Sequence, residues 1–330
     1  MGPGGLRAVL IREPGGPEVL TPADAPDPAP GEGEILIRNR ATAVNRADVL
    51  QRMGFYPPPP GASSVPGLEC AGEVESIGRG VSRWRPGDRV FALLPGGGYA
   101  EKVVVAADVA MAIPANLSFE QAAAVPEVFM TAYDNLVNHG RLEAGGWALV
   151  HGGGSGVGTA AIQIAKRRGA RVAVTVGSKE KAERCLALGA DAAINYREED
   201  FQIRVMEVTD QRGVDVVLDI MGGGYLERNL KSLAMEGRLV IIAAQGGLVA
   251  ELNLGLMLGR RLTIQATTLR ARPVAYKARL ARQIEADVLP GLADGSIKPV
   301  VDRVFPLAEA AEAHRLMESN AHFGKIVLRI

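Results

Sequence analysis

The sequence predicts an α/β protein: a barrel-type β domain plus a doubly wound parallel sheet. Three observations predict it. Short β-type runs fill the first third, cut by turn signals at Pro14-Gly15-Gly16, Pro30-Gly31 and Pro86-Gly87-Asp88. The hydrophobic period changes near Ser118 from two to the helical spacing. From Trp147 onward, strand and helix patterns alternate, which is how parallel sheets covered on both faces are built.

Each element follows from its pattern. Leu6–Ile11, Ile35–Ala43, Gly72–Ile77 and Arg89–Leu94 are apolar or alternating and read as short strands. Ser118 with Gln121 three residues on forms a capping box for helical segments through Gln121–Val125 and Phe129–Val137. Then come strand Trp147–His151, helix Val157–Arg168 with Ile162 and Ala165 on one face, and strand Ala170–Val176. Helix Lys179–Leu188 closes at Gly189, and strands Ala192–Tyr196 and Val214–Ile220 follow. Leu226–Met235 reads as a helix closed by Gly237, Leu239–Ala244 as a strand and Leu262–Thr268 as one more. Amphipathic helices near Tyr276–Val288 and Leu307–Ser319 and a strand Lys325–Ile330 complete the chain. The expected domains are 1–125, 126–270 and a return to the first domain over 271–330.

Composition bounds the function. The 330 residues are 47% hydrophobic and 22% charged, an ordinary globular balance that excludes a disordered chain. Lys+Arg and Asp+Glu are 37 each, so no basic excess supports nucleic-acid binding. The two cysteines, Cys70 and Cys185, are too few for a four-Cys zinc site and suit free thiols in a reducing compartment, so the expected location is cytoplasmic. No apolar run approaches the ~20 residues that span a bilayer. The start, Met1-Gly2-Pro3-Gly4-Gly5-Leu6, lacks the order of a signal peptide.

Gly152-Gly153-Gly154-Ser155-Gly156-Val157-Gly158 joins a strand to a helix. Small residues there let the backbone approach a pyrophosphate, and the helix start offers N–H groups and a positive dipole end. Read as G-x-G-x-x-G from Gly153, the second glycine is Ser155, whose hydroxyl can itself bond a phosphate. Gly158 allows close packing of helix on strand. NAD binders place an acidic residue about 20 residues on, at the next strand end. Here Gly177-Ser178-Lys179-Glu180-Lys181 presents a small residue and two lysines, which suits the 2′-phosphate of NADPH. Tyr196 either adds a phenol to that phosphate or packs at the rim.

Val44-Asn45-Arg46-Ala47-Asp48, Gln51-Arg52-Met53-Gly54-Phe55-Tyr56-Pro57, Pro66-Gly67-Leu68-Glu69, Leu94-Pro95-Gly96-Gly97-Gly98 and Gly153–Gly158 together resemble the zinc-free quinone oxidoreductase branch of the medium-chain dehydrogenase/reductase superfamily. The resemblance implies a GroES-like domain and a Rossmann domain. Zinc members carry a catalytic Cys near Asn45 and a Gly-His-Glu where Gly67-Leu68-Glu69 stands. Leu68 cannot ligate zinc, and His139, His151, His314 and His322 show no ligand spacing, so no metal is expected. Without a Lewis acid the site needs an electron-poor acceptor: a quinone, or a conjugated enone or enoyl thioester.

By the same resemblance, Asn45 and Tyr56 face nicotinamide and substrate, although Tyr56 and the prolines after it can equally wall a cleft. Thr131 would bind the nicotinamide carboxamide, or else its own helix backbone. Gly222, Ala244, Gln245 and Gly246 follow the fourth and fifth strands, and Thr268, Leu269, Gly324 and Lys325 match further family cofactor positions; a solvated charge is the rival for Lys325. Asp48 caps its local helix or pairs with Arg46 or Arg52. The expected protein is an NADPH-dependent, metal-independent quinone oxidoreductase, a homodimer paired through Leu262–Thr268. The alternatives are an enoyl or enone reductase of the same fold and a crystallin-like protein that binds NADPH without turnover.

Overall fold

A computed structural model describes residues 6–330; the reading of Met1–Gly5 lies outside the described residues. The chain divides into two compact units, Met1–Met130 with Leu269–Ile330, and Thr131–Thr268.

In the first unit, seven strands form one sheet in the order Val301–Pro306, Lys325–Arg329, Glu34–Val44, Glu69–Ile77, Arg89–Leu93 and Met111–Ala112, with Lys102–Ala106 also paired to Glu34–Val44. All pairings are antiparallel except that of the two C-terminal strands. Leu6–Ile11 pairs antiparallel with Leu20–Ala25 in a separate hairpin. Strand Glu34–Val44 is buried along most of its length, and Ile35, Ile37, Ala41 and Ala43 are wholly inaccessible to solvent. Val9, Val44, Val49, Tyr99, Ala313, Ile326 and Leu328 pack together, binding the helix Ala310–Ser319 to the sheet. Each Val, Ile or Leu among them contributes about 1.5–3 kcal/mol by leaving water.

The second unit holds six parallel strands in the order Ala192–Asn195, Arg171–Val176, Trp147–His151, Val214–Asp219, Leu233–Ile241 and Thr263–Ala266. By position along the chain this is 3-2-1-4-5-6, the dinucleotide-binding order, with its switch point beside the first strand. Leu149, Ala173, Ile194, Val217 and Leu239 from five neighbouring strands form the core.

Most expected elements form within a residue or two of their boundaries. Strand Gly72–Ile77 starts earlier, at Glu69, and helix Phe129–Val137 earlier, at Pro126; the largest departure is at Leu226–Met235 and the strand expected at Leu239–Ala244. The helix there ends at Ser232, and a strand already begins at Leu233. Leu233 and Ala234 are buried while Met235 is more than half exposed, and Glu236 is left-handed at φ 63°. An added Cβ at Gly237 would lie 2.9 Å from the Ala234 carbonyl oxygen. Gly237 therefore serves a kink inside a strand, where periodicity alone suggested a helix stop.

Candidate active site

In the first unit the site begins where strand Glu34–Val44 hands over to helix Arg46–Arg52. Asn45 is the cap: its backbone N–H donates to Asp48 Oδ2 at 2.8 Å, closing a capping box. Asp48 Oδ1 accepts the Gly67 N–H at 3.1 Å. Full burial raises the Asp48 carboxyl to about 6, against the pull of the two N–H groups. Asp48 thus caps the helix, as one sequence reading had it. Arg52 instead pairs with Glu318 at 2.8 Å, and Arg46 bonds the Met317 carbonyl and Asn320.

With its backbone so fixed, the Asn45 side chain turns to a buried ion pair. Lys325 Nζ donates to Glu69 Oε1 at 2.8 Å, to Asn45 Oδ1 at 2.6 Å and to the Val44 carbonyl at 3.1 Å. Asn45 Nδ2 donates to the same Glu69 Oε1 at 2.9 Å. Glu69 Oε2 accepts the Glu127 backbone N–H at 2.9 Å. All three ammonium protons are used, and the side chains of Lys325 and Glu69 are 3% and 0% exposed. Lys325 is therefore neither a solvated charge nor a free cation for a ligand; it fixes Asn45 and Glu69. Gly324 delivers it: at φ 90°, an added Cβ would fall 2.4 Å from the Val300 carbonyl oxygen.

Tyr56 is half-buried, and burial raises its phenol above the ordinary range. Arg270 holds its backbone and ring. The guanidinium donates to the Tyr56 carbonyl at 3.2 Å and lies 5.3 Å from the ring centroid. Arg270 also donates to Gln51 Oε1 at 2.7 Å and to the Pro95 carbonyl at 2.7 Å, while its own carbonyl accepts from Lys277 Nζ at 2.6 Å. Glu127, in the first turn of helix Pro126–Tyr133, keeps partial solvent exposure, and its carboxyl is raised to about 7, chiefly by burial and by Glu69.

In the second unit the glycine loop is built for close approach. Ser155 caps helix Gly156–Arg167, its hydroxyl oxygen accepting the Gly158 N–H at 3.0 Å while its own proton stays available. The N–H groups of Gly156 and Val157, in the first turn, have no intrahelical acceptor. A Cβ on Gly153 would meet Val174 at 2.6 Å, and one on Gly158 the Gly152 carbonyl oxygen at 2.3 Å. At the end of the next strand, Ser178 caps helix Lys179–Ala187 through the Lys181 N–H at 3.3 Å. Tyr196 covers Gly177, whose added Cβ would lie 2.6 Å from the phenol oxygen. Glu180 is turned to Arg184, 3.8 Å away. Gly177, Ser178, Lys181 and Tyr196 thus lie together at the ends of the second and third strands.

Gly222, Ala244, Gln245 and Gly246 also come together. Gly222 is left-handed at φ 69°, and its added Cβ would lie 2.8 Å from Ala244 Cβ. Gln245 and Gly246 N–H groups bond the Ile220 and Met221 carbonyls at 3.0 and 2.7 Å. Thr131 is 9% exposed, and among the described residues no protein group bonds its hydroxyl; the Asn135 amide takes its carbonyl instead. Thr268 is exposed past the edge strand, whereas Leu269 is buried. Sequence reasoning missed Glu69, Glu127 and Arg270 as members of the site. The signal within reach was Glu69, the acid that closes the Pro66-Gly67-Leu68-Glu69 motif.

Two families match: residues 31–115 the alcohol dehydrogenase GroES-like domain, and residues 188–328 the zinc-binding dehydrogenases. Zinc does not fit the residues present. Asn45 and Leu68 stand where the resemblance puts zinc ligands, and the Lys325 ammonium occupies the Glu69 carboxylate. No group of three or more His, Cys, Asp or Glu side chains that could hold a metal occurs among the described residues. Rat quinone oxidoreductase is 33% identical over 98% of this chain and 97% of its own. The structure of Escherichia coli quinone oxidoreductase complexed with NADPH is 34% identical, covers 99% of this chain and 100% of that one, and has a TM-score of 0.86. A structure described as an NAD-dependent alcohol dehydrogenase is 38% identical, covers 98% of this chain and 99% of that one, and has a TM-score of 0.87. A GroES-like unit, a parallel sheet in dinucleotide order and full-length likeness to quinone oxidoreductases together establish that the chain belongs to the quinone oxidoreductase family of the medium-chain dehydrogenase/reductase superfamily.

Proposed function

We propose that this protein is an NADPH-dependent quinone oxidoreductase that works without a metal. The observation that carries the cofactor choice is the rim of Gly177, Ser178, Lys181 and Tyr196: a cation, two hydroxyls and no acid suit a phosphate dianion, not a bare 2′-hydroxyl. Gly153, Ser155, Gly156 and Val157 would receive the pyrophosphate on N–H groups and a positive helix end. Thr131 offers an uncommitted hydroxyl for the carboxamide, and Gly222, Ala244, Gln245, Gly246, Thr268 and Leu269 border the carboxyl ends of the strands. Gly324 and Lys325 act indirectly, by positioning Asn45 and Glu69. When bound, NADPH supplies a hydride.

Tyr56 would orient the acceptor, while Asn45, its side chain engaged by Lys325 and Glu69, would line the site without bonding it. A phenol on a half-buried ring, held by Arg270, can donate a hydrogen bond to a carbonyl oxygen. Neighbouring Phe55 is 73% exposed and Met53 39%, apolar surface that suits a flat ring. A quinone needs no Lewis acid, because its reduction gives an aromatic ring over which charge spreads.

A homodimer is supported by the edge position of strand Thr263–Ala266 and by Leu248, Val249, Leu254 and Leu258, each at least 64% exposed in the segment before it. Two free, buried thiols, Cys70 and Cys185, suit the reducing cytoplasm. No helix among the described residues is long and apolar enough to cross a membrane.

The test is oxidation of NADPH and NADH by simple quinones and by 2-enoyl thioesters, with a chelator present. Faster turnover with NADPH and quinone, unchanged by chelation, is expected. Inactivity toward every quinone, or loss of activity on chelation, contradicts the proposal, and preference for thioesters selects the enoyl reductase.

A further inference from the structure

Reduction of a quinone consumes a proton as well as a hydride, and the residues at Asn45 and Tyr56 do not by themselves supply one. Asp48 is fully buried, and both its oxygens accept backbone N–H groups. Glu69 is fully buried under Lys325 and Asn45. Tyr56 is a weaker acid than an ordinary phenol, since burial disfavours its anion. Glu127 differs from all three. Its backbone is anchored by Glu69, the residue is only partly buried, and no hydrogen bond or ion pair engages its carboxyl among the described residues.

The charged groups around it come from every neighbouring element: Glu69 on strand Glu69–Ile77, Asp48 on helix Arg46–Arg52, Lys325 on strand Lys325–Arg329 and Lys277 on helix Val274–Asp287. The Tyr56 phenol and the Arg270 guanidinium are in electrostatic range as well. The two lysine charges are committed elsewhere, Lys325 to Glu69 and Lys277 to the Arg270 carbonyl. Desolvation and Glu69, with Asp48, raise the Glu127 carboxyl, and the opposing pull of Lys325 and Lys277 does not offset them.

From this cluster we propose that Glu127 is the proton donor of the active site. The proposal rests on the quinone reductase activity and extends it. The hydride from NADPH brings two electrons and one proton to the quinone, leaving one oxygen anionic. The O–H bond of the Glu127 carboxylic acid breaks and an O–H bond forms on that oxygen. Water then returns a proton to the carboxylate, so that NADPH, quinone and one proton give NADP⁺ and hydroquinone. A carboxyl held at about 7 is half-protonated at neutral pH and suited to both halves of this exchange.

The experiment is kcat/KM for 1,4-benzoquinone with NADPH from pH 5.5 to 9, for wild type, Glu127→Gln and Glu127→Asp. Melting temperature and NADPH fluorescence titration verify that each variant is folded and binds cofactor. Wild-type activity should fall above about pH 7. Glu127→Gln should lose about 100-fold at pH 6 and show a flat profile, and Glu127→Asp should restore a falling limb. A Glu127→Gln enzyme with wild-type rate, or with a lowered rate that keeps the limb, overturns the assignment, as does a flat wild-type profile. A wild type inert toward all quinones contradicts the activity itself, which separates the two failures.

Discussion

The cofactor rim and the acceptor cluster solve opposite problems. The rim is made of backbone: glycines at 153, 158, 177 and 222 clear space that any Cβ would fill, and Ser155 and Ser178 cap two helices. Lys181 is the one charged side chain among these positions. The acceptor cluster is made of side chains already charged and already paired: Lys325 with Glu69 and Asn45, and Arg270 with Gln51 and two carbonyls. The lesson is that a parallel-sheet turn binds an anion by what it leaves out. A site that keeps its own buried ions must spend most of its hydrogen bonds on itself, leaving Tyr56 and Glu127 for chemistry.

The largest expected effect falls on the internal pairing. Lys325→Met would strand the Glu69 carboxylate in a site with no exposure, and losing one partner of such a pair costs about 3–5 kcal/mol. Urea denaturation should show that loss, and the added change Glu69→Gln should recover much of it. Additive effects of the two changes would deny the coupling.

The next effect concerns stability against pH. Glu127 has a folded-state value of about 7, above its ordinary 4.5. The folded state therefore holds this proton more tightly than the unfolded chain. The resulting stability is fully present below about 4.5 and lost as pH rises through 7. Glu127→Gln, which cannot ionise, should be more stable than wild type at pH 8 by on the order of 1–3 kcal/mol. The gap should close toward pH 4.5. A gap of the same size at both ends would mean that packing, not ionisation, separates the variants.

The smallest effect tests the rim. Lys181→Ala should raise the KM for NADPH about tenfold, the loss of one exposed charge contact of roughly 1.4 kcal/mol, and leave that for NADH nearly unchanged. Equal changes would remove Lys181 from the phosphate site.

The same contrast explains what could be read from the chain. Most of the rim is local: strand, glycine turn, helix and the next strand end occupy some thirty consecutive residues, and the alternation of strand and helix pointed to a parallel sheet. Tyr196 and Gly222 join from later strands, and the strand order needed the structure. Asn45, Glu69, Glu127, Arg270 and Lys325 are far apart in sequence, and only the return of the C-terminal strand beside Glu34–Val44 assembles them. A lysine opening a terminal strand looks like a solvated charge until its strand partners Ala43 and Val44 are known. The first half of the strand Leu233–Ile241 was hidden for another reason. Its kink at Glu236 and Gly237 breaks the period of two on which recognition depends.

A crystal structure with NADPH and a quinone analogue tests the account most directly. The pyrophosphate should lie on the turn at Gly153–Gly158, the 2′-phosphate within hydrogen-bond reach of Ser178, Lys181 or Tyr196, and the analogue beside Tyr56 with Lys325 still on Glu69. An unliganded glycine turn in saturating NADPH, or a tetrahedral ion bound beside Asn45 and Glu69, would contradict it.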